Sequence, residues 1–178
     1  MKTEIEVKFL DINIDEIREH LQKAGADLEH PMRLMRRANI EEPDHRADHA
    51  FIRIRDEGDK TTLTFKRRDD PMNPTIDGVK ELEVEVSNFD KTVEIFHEAG
   101  WEYKTFQESK RETWKLGNVE VVIDEWPWLA PYIEIEGESE DAVKEAAEAL
   151  GFNWDEAEYG HIVLFISVST HLPLVFAA

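Results

Sequence analysis

Six short segments of this chain alternate between aliphatic and charged or polar residues, and each keeps its charges on one side. They are EIEVKF (4–9), FIRIR (51–55), TLTFK (62–66), ELEVEV (81–86), VEVVID (119–124) and YIEIE (132–136). Side chains alternate faces along a β-strand, so Glu4, Glu6 and Lys8 share one face and Ile5, Val7 and Phe9 the other. Arg53 and Arg55 oppose Ile52 and Ile54, and Lys66 opposes Leu63 and Phe65. Glu120 and Asp124 oppose Val119, Val121 and Ile123. Such a pattern restricts the chain to a sheet with one apolar and one charged surface.

Three of these strands feed helices. Asn13 is placed to cap a helix whose stripe is Ile14, Ile17, Leu21 and Ala24, with Gly25 as its stop. A second helix begins near Phe89, turns Val93 and Phe96 inward and stops at Gly100. A third is capped by Ser139, turns Val143, Ala147 and Leu150 inward and stops at Gly151. The stretch 110–116, which contains Arg111, reads as a further strand. Loops fall at 42–48, at 69–78 and at the Pro-rich 126–131. The expected fold is therefore α+β, a mainly antiparallel sheet of about eight strands with three helices on its aliphatic face. The charged face then looks either at solvent or into the lumen of a closed barrel.

The charges on that face are sorted rather than mixed. One strand carries two arginines and others carry paired glutamates, whereas solvated strands usually pair opposite charges across neighbours. Arg53 and Arg55 lie about 7 Å apart by strand geometry, which suits successive phosphate groups. Glu4 and Glu6 have the same separation and can reach hard divalent ions. With no cysteine in 178 residues, oxygen ligands favour Mg²⁺ or Mn²⁺ over zinc, and a reducing compartment is expected. Forty acidic against 21 basic residues give a net charge of −19, which excludes nucleic acid as an expected partner. No apolar run reaches membrane-spanning length and the N-terminus lacks a signal-peptide core, so a cytoplasmic protein is expected. A polyphosphate with bound metal is the ligand class that accounts for the sorted face.

The residues resemble those of the CYTH superfamily, the triphosphate tunnel metalloenzymes. The likeness is carried by Glu4-x-Glu6-x-Lys8, Arg53-x-Arg55, Lys66, the glutamates of 81–86, Arg111, Asp124 and Glu134-x-Glu136, in that order. The stretch VEVVIDEWPWLAPYIEIEG is especially similar to bacterial class IV adenylate cyclase-like members. The resemblance covers 4–165 and implies one domain, 1–165, followed by an extension, 166–178. It implies an eight-stranded antiparallel barrel with helices on its outside, a lumen that binds triphosphate, and a monomer or homodimer. It assigns Glu4, Glu6, Asp124, Glu134 and Glu136 to metal, with Glu83 and Glu85 as further acidic candidates. Lys8, Arg53, Arg55, Lys66 and Arg111 are assigned to phosphate, and Glu4, Glu6 and Lys8 to catalysis.

The activity implied is hydrolysis of tripolyphosphate, ATP or thiamine triphosphate. The alternatives are cyclisation of ATP to cyclic AMP and pyrophosphate, and binding of polyphosphate or nucleotide without turnover. The chain departs from the family pattern at Glu41 and at His161. Trp126, Trp128 and Tyr132 are expected to brace their loop more than to stack on a substrate ring. His45 and His49 are read as loop residues, Asp69 and Asp70 as loop charge, and Glu140, Glu145 and Glu148 as solvated helix acids. Arg36 and Arg37 can face either the lumen or solvent.

Overall fold

A computed structural model describes residues 1–40, 49–70, 72–101, 103–127 and 129–160. Glu41, His45, Trp128, His161 and the expected extension 166–178 lie outside them. The strands are β1 (Lys2–Phe9), β2 (Asp27–Ile40), β3 (Ala50–Asp56), β4 (Thr61–Arg68), β5 (Val79–Val86), β6 (Tyr103–Leu116), β7 (Val119–Glu125) and β8 (Tyr132–Gly137). The helices are α1 (Ile14–Ala24), α2 (Phe89–Glu98) and α3 (Glu140–Ala149).

All eight strands join one closed barrel in the order β1-β5-β4-β3-β2-β6-β7-β8, and every pairing is antiparallel. Closure settles the question the alternation leaves open, because the charged face has become the lumen. The seam between β1 and β5 is short, running only from Lys2 to Glu4 against Val79 to Glu81. Beyond it the free edge of β1 is satisfied locally. The Glu6 N–H donates to the Ile76 carbonyl, and Lys8 exchanges backbone hydrogen bonds with Glu158.

The helices start and stop where their end residues dictate. Asn13 Oδ1 accepts from the backbone N–H of Asp15 and Glu16, and Gly25 ends α1 at a φ of 80°, a conformation that costs other residues strain. Asn88 and Ser139 cap α2 and α3 by accepting from the N–H groups of Lys91 and Ala142. The aliphatic face of β1, β7 and β8 packs under α1 and α3. Val7, Phe9, Val121, Ile133 and Ile135 meet Ile17, Leu21, Val143 and Ala147 in one buried cluster. Each large side chain enclosed there contributes about 1.5–3 kcal/mol. On the far side, α2 packs on β3, with Phe89 buried against Ala38, Ile40 and Ile54. The helical cover is incomplete: Leu82 and Val84 on the outer face of β5 remain largely exposed.

Among the described residues, no helix is long and apolar enough to cross a membrane.

Candidate active site in the barrel lumen

The inward side chains enclose a cavity of about 390 Å³. Alternation along each strand fixes which residues reach it. From β1 come Glu4, Glu6 and Lys8, from β8 Tyr132, Glu134 and Glu136, and from β7 Glu120. From β2, β3, β4 and β6 come Arg37, Arg53, Arg55, Lys66 and Arg111. The lumen is thus polarised between an acidic wall and a cationic one.

On the acidic wall, Glu4, Glu6 and Glu136 each offer a carboxylate oxygen, and these oxygens lie within 4.8 Å of one another. Burial pushes all three carboxyls above the usual carboxylate range, and mutual repulsion adds to it, from Glu81 on Glu4, Glu134 on Glu6 and Glu4 on Glu136. Glu120, across the ladder from Glu136, is also raised, mainly by burial. Each of the three carboxylates has one lysine beside it, Lys66 at Glu4, Lys8 at Glu6 and Lys2 at Glu136, and the remaining donors are hard oxygens. A divalent cation of the Mg²⁺ or Mn²⁺ type fits it chemically.

Two lysines sit between carboxylates. Lys8 Nζ lies 2.6 Å from Glu6 and 3.2 Å from Glu134, and Lys66 Nζ lies 2.7 Å from Glu4 and 3.3 Å from Glu81. Burial opposes the Lys8 charge, but Glu134 and Glu6 outweigh it and hold the ammonium above its ordinary range. Glu134 moves oppositely: burial would raise it, yet Lys8 and Arg111 pull it well below the usual carboxylate range.

The cationic wall contains arginines in different states. Arg111 is paired with Asp124, whose side chain is fully buried. Arg37 and Arg55 are directly opposite each other in the β2–β3 ladder, with Arg53 two residues along. Arg37 donates to Ser109 Oγ at 2.8 Å and lies over the Trp126 ring. Arg53 has no ion-pair or hydrogen-bond partner among the described residues, and the Nε atoms of Arg37, Arg53 and Arg55 are all buried without acceptors. Burial, then the neighbouring Arg55, pushes Arg53 down to about 9 and Arg37 down to about 10. Buried cations without acceptors are expensive unless an anion completes them.

The expected site residues therefore divide. Glu4, Glu6, Lys8, Arg53, Arg55, Lys66, Arg111, Glu134 and Glu136 all line the lumen. Asp124 lies behind Arg111 rather than in the carboxylate triad. Glu83 lines one end, where its carboxylate accepts from Thr64 at 2.6 Å, and Glu85 is exposed. Arg36 and Arg37 separate: Arg36 turns outward to Asp56, while Arg37 faces the lumen. Trp126 and Tyr132 are buried with Leu10 and Leu129, joined by a hydrogen bond from the indole N–H to the phenol oxygen. His49 is exposed. Glu57, Glu81 and Glu120 also line the lumen without having been assigned a role, and Arg37, left open between lumen and solvent, joins them. Alternation within 81–86 and 119–124 was signal enough for Glu81 and Glu120, whereas Arg37 requires the strand β2 to be recognised first.

The family model of the CYTH domain matches residues 2–159. Among solved structures, the PH1012 protein of Pyrococcus horikoshii is 21% identical, with a TM-score of 0.74 over 90% of this chain and 98% of that one. A Vibrio parahaemolyticus protein, a candidate adenylate cyclase, is 11% identical with a TM-score of 0.77, covering 93% and 98%. The Hippeastrum protein HpAC1, for which a dominant triphosphatase activity is described, is 18% identical with a TM-score of 0.61, covering 96% and 98%. No curated protein matches the chain.

Proposed function

The chain belongs to the CYTH domain family, and from that premise we propose that it is a divalent-metal-dependent triphosphatase, hydrolysing inorganic or organic triphosphate in the barrel lumen. The observation that carries the reading is Arg53, a half-buried arginine whose Nε is buried without an acceptor and which has no ion pair among the described residues, opposite the carboxylate triad of Glu4, Glu6 and Glu136. An arginine left without an acceptor calls for an anion, and three crowded carboxylates call for a cation. A metal–triphosphate complex is one ligand that answers both.

In this reading Arg53 and Arg37 hold phosphate oxygens from one side, with Arg55 lending charge beside them while paired to Glu57, and Lys8, Lys66 and Arg111 hold them from the other. Glu4, Glu6 and Glu136 would hold the metal, with Glu134 and Glu120 beside them. A metal bound there supplies Lewis-acid neutralisation of the phosphate oxygens and of the attacking oxygen. The protein's own cations stabilise the charge on the terminal phosphoryl group as its bond to the bridging oxygen breaks and water adds to phosphorus. Catalysis then rests on positioning and on electrostatics that are already oriented. No covalent enzyme intermediate is needed.

Two features favour water over a ribose hydroxyl as the attacking group. The Trp126 ring is covered by Arg37 and its N–H is committed to Tyr132, so this pair is built into the wall. The rest of the lining is dominated by charged side chains, with Phe51 and Val79 as its other apolar members. The absence of cysteine suits work in the cytoplasm.

The test is product analysis with Mg²⁺ or Mn²⁺ and, separately, tripolyphosphate, ATP and thiamine triphosphate. Orthophosphate released from a triphosphate is the expected result. Cyclic AMP with pyrophosphate would replace the hydrolase reading by the cyclase, and binding without turnover would reduce the protein to a polyphosphate-binding module.

A further inference from the structure

Glu57 follows β3 in the hairpin that leads to β4, where its N–H donates to the Lys60 carbonyl. Its carboxylate turns back into the lumen and is only 4% exposed. Oε1 lies 2.6 Å from Arg55 Nη2, while Oε2 lies 3.5 Å from Arg33 Nη2 and 3.9 Å from Lys60 Nζ. Arg33 is fixed in turn by donating its Nε to the Glu57 carbonyl and Nη1 to Thr113 Oγ1. Three cations thus converge on one internal anion.

Two residues back along β3, Arg53 has no ion pair among the described residues, and its Nε is buried without an acceptor. The cationic wall therefore has an open level, at Arg53 and Arg37, and a level already filled, at Arg55, Arg33 and Lys60. What fills the second level is a carboxylate from the chain itself, in a place whose donors would suit a phosphate group. Glu29 and Glu83 line the same end but are exposed, so water screens them. Glu57 is buried, and it already engages the cations Arg55, Arg33 and Lys60 that a second anion would need.

We infer that Glu57 is a specificity residue that sets the length of phosphate chain the lumen accepts, by occupying as an internal anion the position that a further phosphate group would otherwise take. The inference rests on the lumen being a triphosphate site. A chain that neutralises Arg53 and Arg37 stops there, because the cations its next group would need, Arg55, Arg33 and Lys60, are already paired with Glu57.

The experiment measures binding, not turnover. Titration calorimetry with tripolyphosphate and with tetrapolyphosphate, at fixed Mg²⁺, is run on the wild type, Glu57→Gln and Glu57→Asp. The wild type is expected to prefer the shorter chain. Glu57→Gln should shift the affinity ratio toward the longer chain by about tenfold or more, and Glu57→Asp, which keeps the charge, should hold the ratio near that of the wild type. If Glu57→Gln is too unstable to purify, the double variant Glu57→Gln/Lys60→Gln removes one charge of each sign and reads the same ratio. An unchanged ratio, or loss of both ligands together, would overturn the inference and leave Glu57 as a structural ion-pair centre. A wild type that binds neither chain would instead defeat the triphosphate reading itself.

Discussion

Arg111 and Asp124 face each other across the β6–β7 ladder, and the carboxylate takes two hydrogen bonds from the guanidinium, Nε to Oδ1 at 2.8 Å and Nη2 to Oδ2. Asp124 is fully buried, so this pair is held in a low-dielectric wall and fixes where Arg111 points. Replacing Asp124 by Asn removes the nearer counter-charge and leaves the largely buried Arg111 only Glu134, at 3.6 Å. Thermal unfolding without ligand should report a loss of about 3 kcal/mol. Part of that loss should return on adding tripolyphosphate, because a phosphate oxygen can take over Arg111. An equal loss with and without the anion would mean that Arg111 does not meet it.

Arg53 should behave in the opposite way. Its burial and the nearby Arg55 and Arg37 penalise its charge, so Arg53→Gln should raise the stability of the ligand-free protein by about 1–3 kcal/mol while abolishing stabilisation by tripolyphosphate. The pH dependence has a definite sign. A base pushed down to about 9 in the folded state binds fewer protons there than in the unfolded chain, so its burden on stability is present below pH 9 and is relieved as pH rises through that value toward 12.5. The stability advantage of Arg53→Gln over the wild type should therefore shrink above pH 9. A constant difference from pH 7 to 10.5 would show that the guanidinium charge is not what the burial penalises.

Much of this arrangement was legible in the alternating segments, because period-2 patterning assigns each side chain to one of two faces. The missing part was β2. Its 14 residues contain Pro31, and its pairing with β6 shifts register between Leu28 and His30 and again between His30 and Arg33. A bulge moves later residues to the other face, so no single alternation runs through 27–40. Arg37 could not be told from Arg36 for that reason. The first half of β6 was missed on different grounds: YKTFQES carries few aliphatic residues, and its strand state comes from pairing with β2. Glu57 was beyond sequence reasoning altogether, since its role depends on three cations from β2, β3 and the following turn.

On the outside of the barrel, Asp56 accepts from Arg36 Nη2 at 2.6 Å and from the Gly58 N–H at 2.9 Å, holding the β3–β4 hairpin. Burial would raise its carboxyl, but the bonds from Arg36 and Gly58 more than offset this and place it below its ordinary value. The stability it contributes is therefore fully present above the unfolded-state value of 3.8 and is lost as pH falls through the lower folded-state value. Asp56→Ala should cost about 1 kcal/mol at pH 7, a modest amount because the pair is half in water. The gap between variant and wild type should close in acid. A gap that persists below pH 3 would trace the loss to turn geometry rather than to charge.

The carboxylate triad makes the most direct claim about metal. Glu4, Glu6 and Glu136 bring three carboxylates within 4.8 Å, each with one lysine beside it, so removing one should weaken cation affinity while trading relief of repulsion against a lost ion pair. Glu6→Gln and Glu136→Gln are each expected to lower Mn²⁺ affinity on the order of a hundredfold, measured by calorimetry or by the paramagnetic resonance of free Mn²⁺. Their metal-free melting temperatures should change little, because Lys8 keeps Glu134 at 3.2 Å and the Lys2–Glu136 pair lies largely in water. Glu85→Gln is the control, since that side chain is exposed outside the lumen lining and should leave Mn²⁺ binding unchanged. Chelation of divalent ions should abolish triphosphate turnover in the wild type and should also remove the Mn²⁺-induced rise in melting temperature. Variants of Glu6 and Glu136 that bind Mn²⁺ as tightly as Glu85→Gln would move the metal away from this corner, toward the remaining acidic lining at Glu81, Glu120 and Glu134.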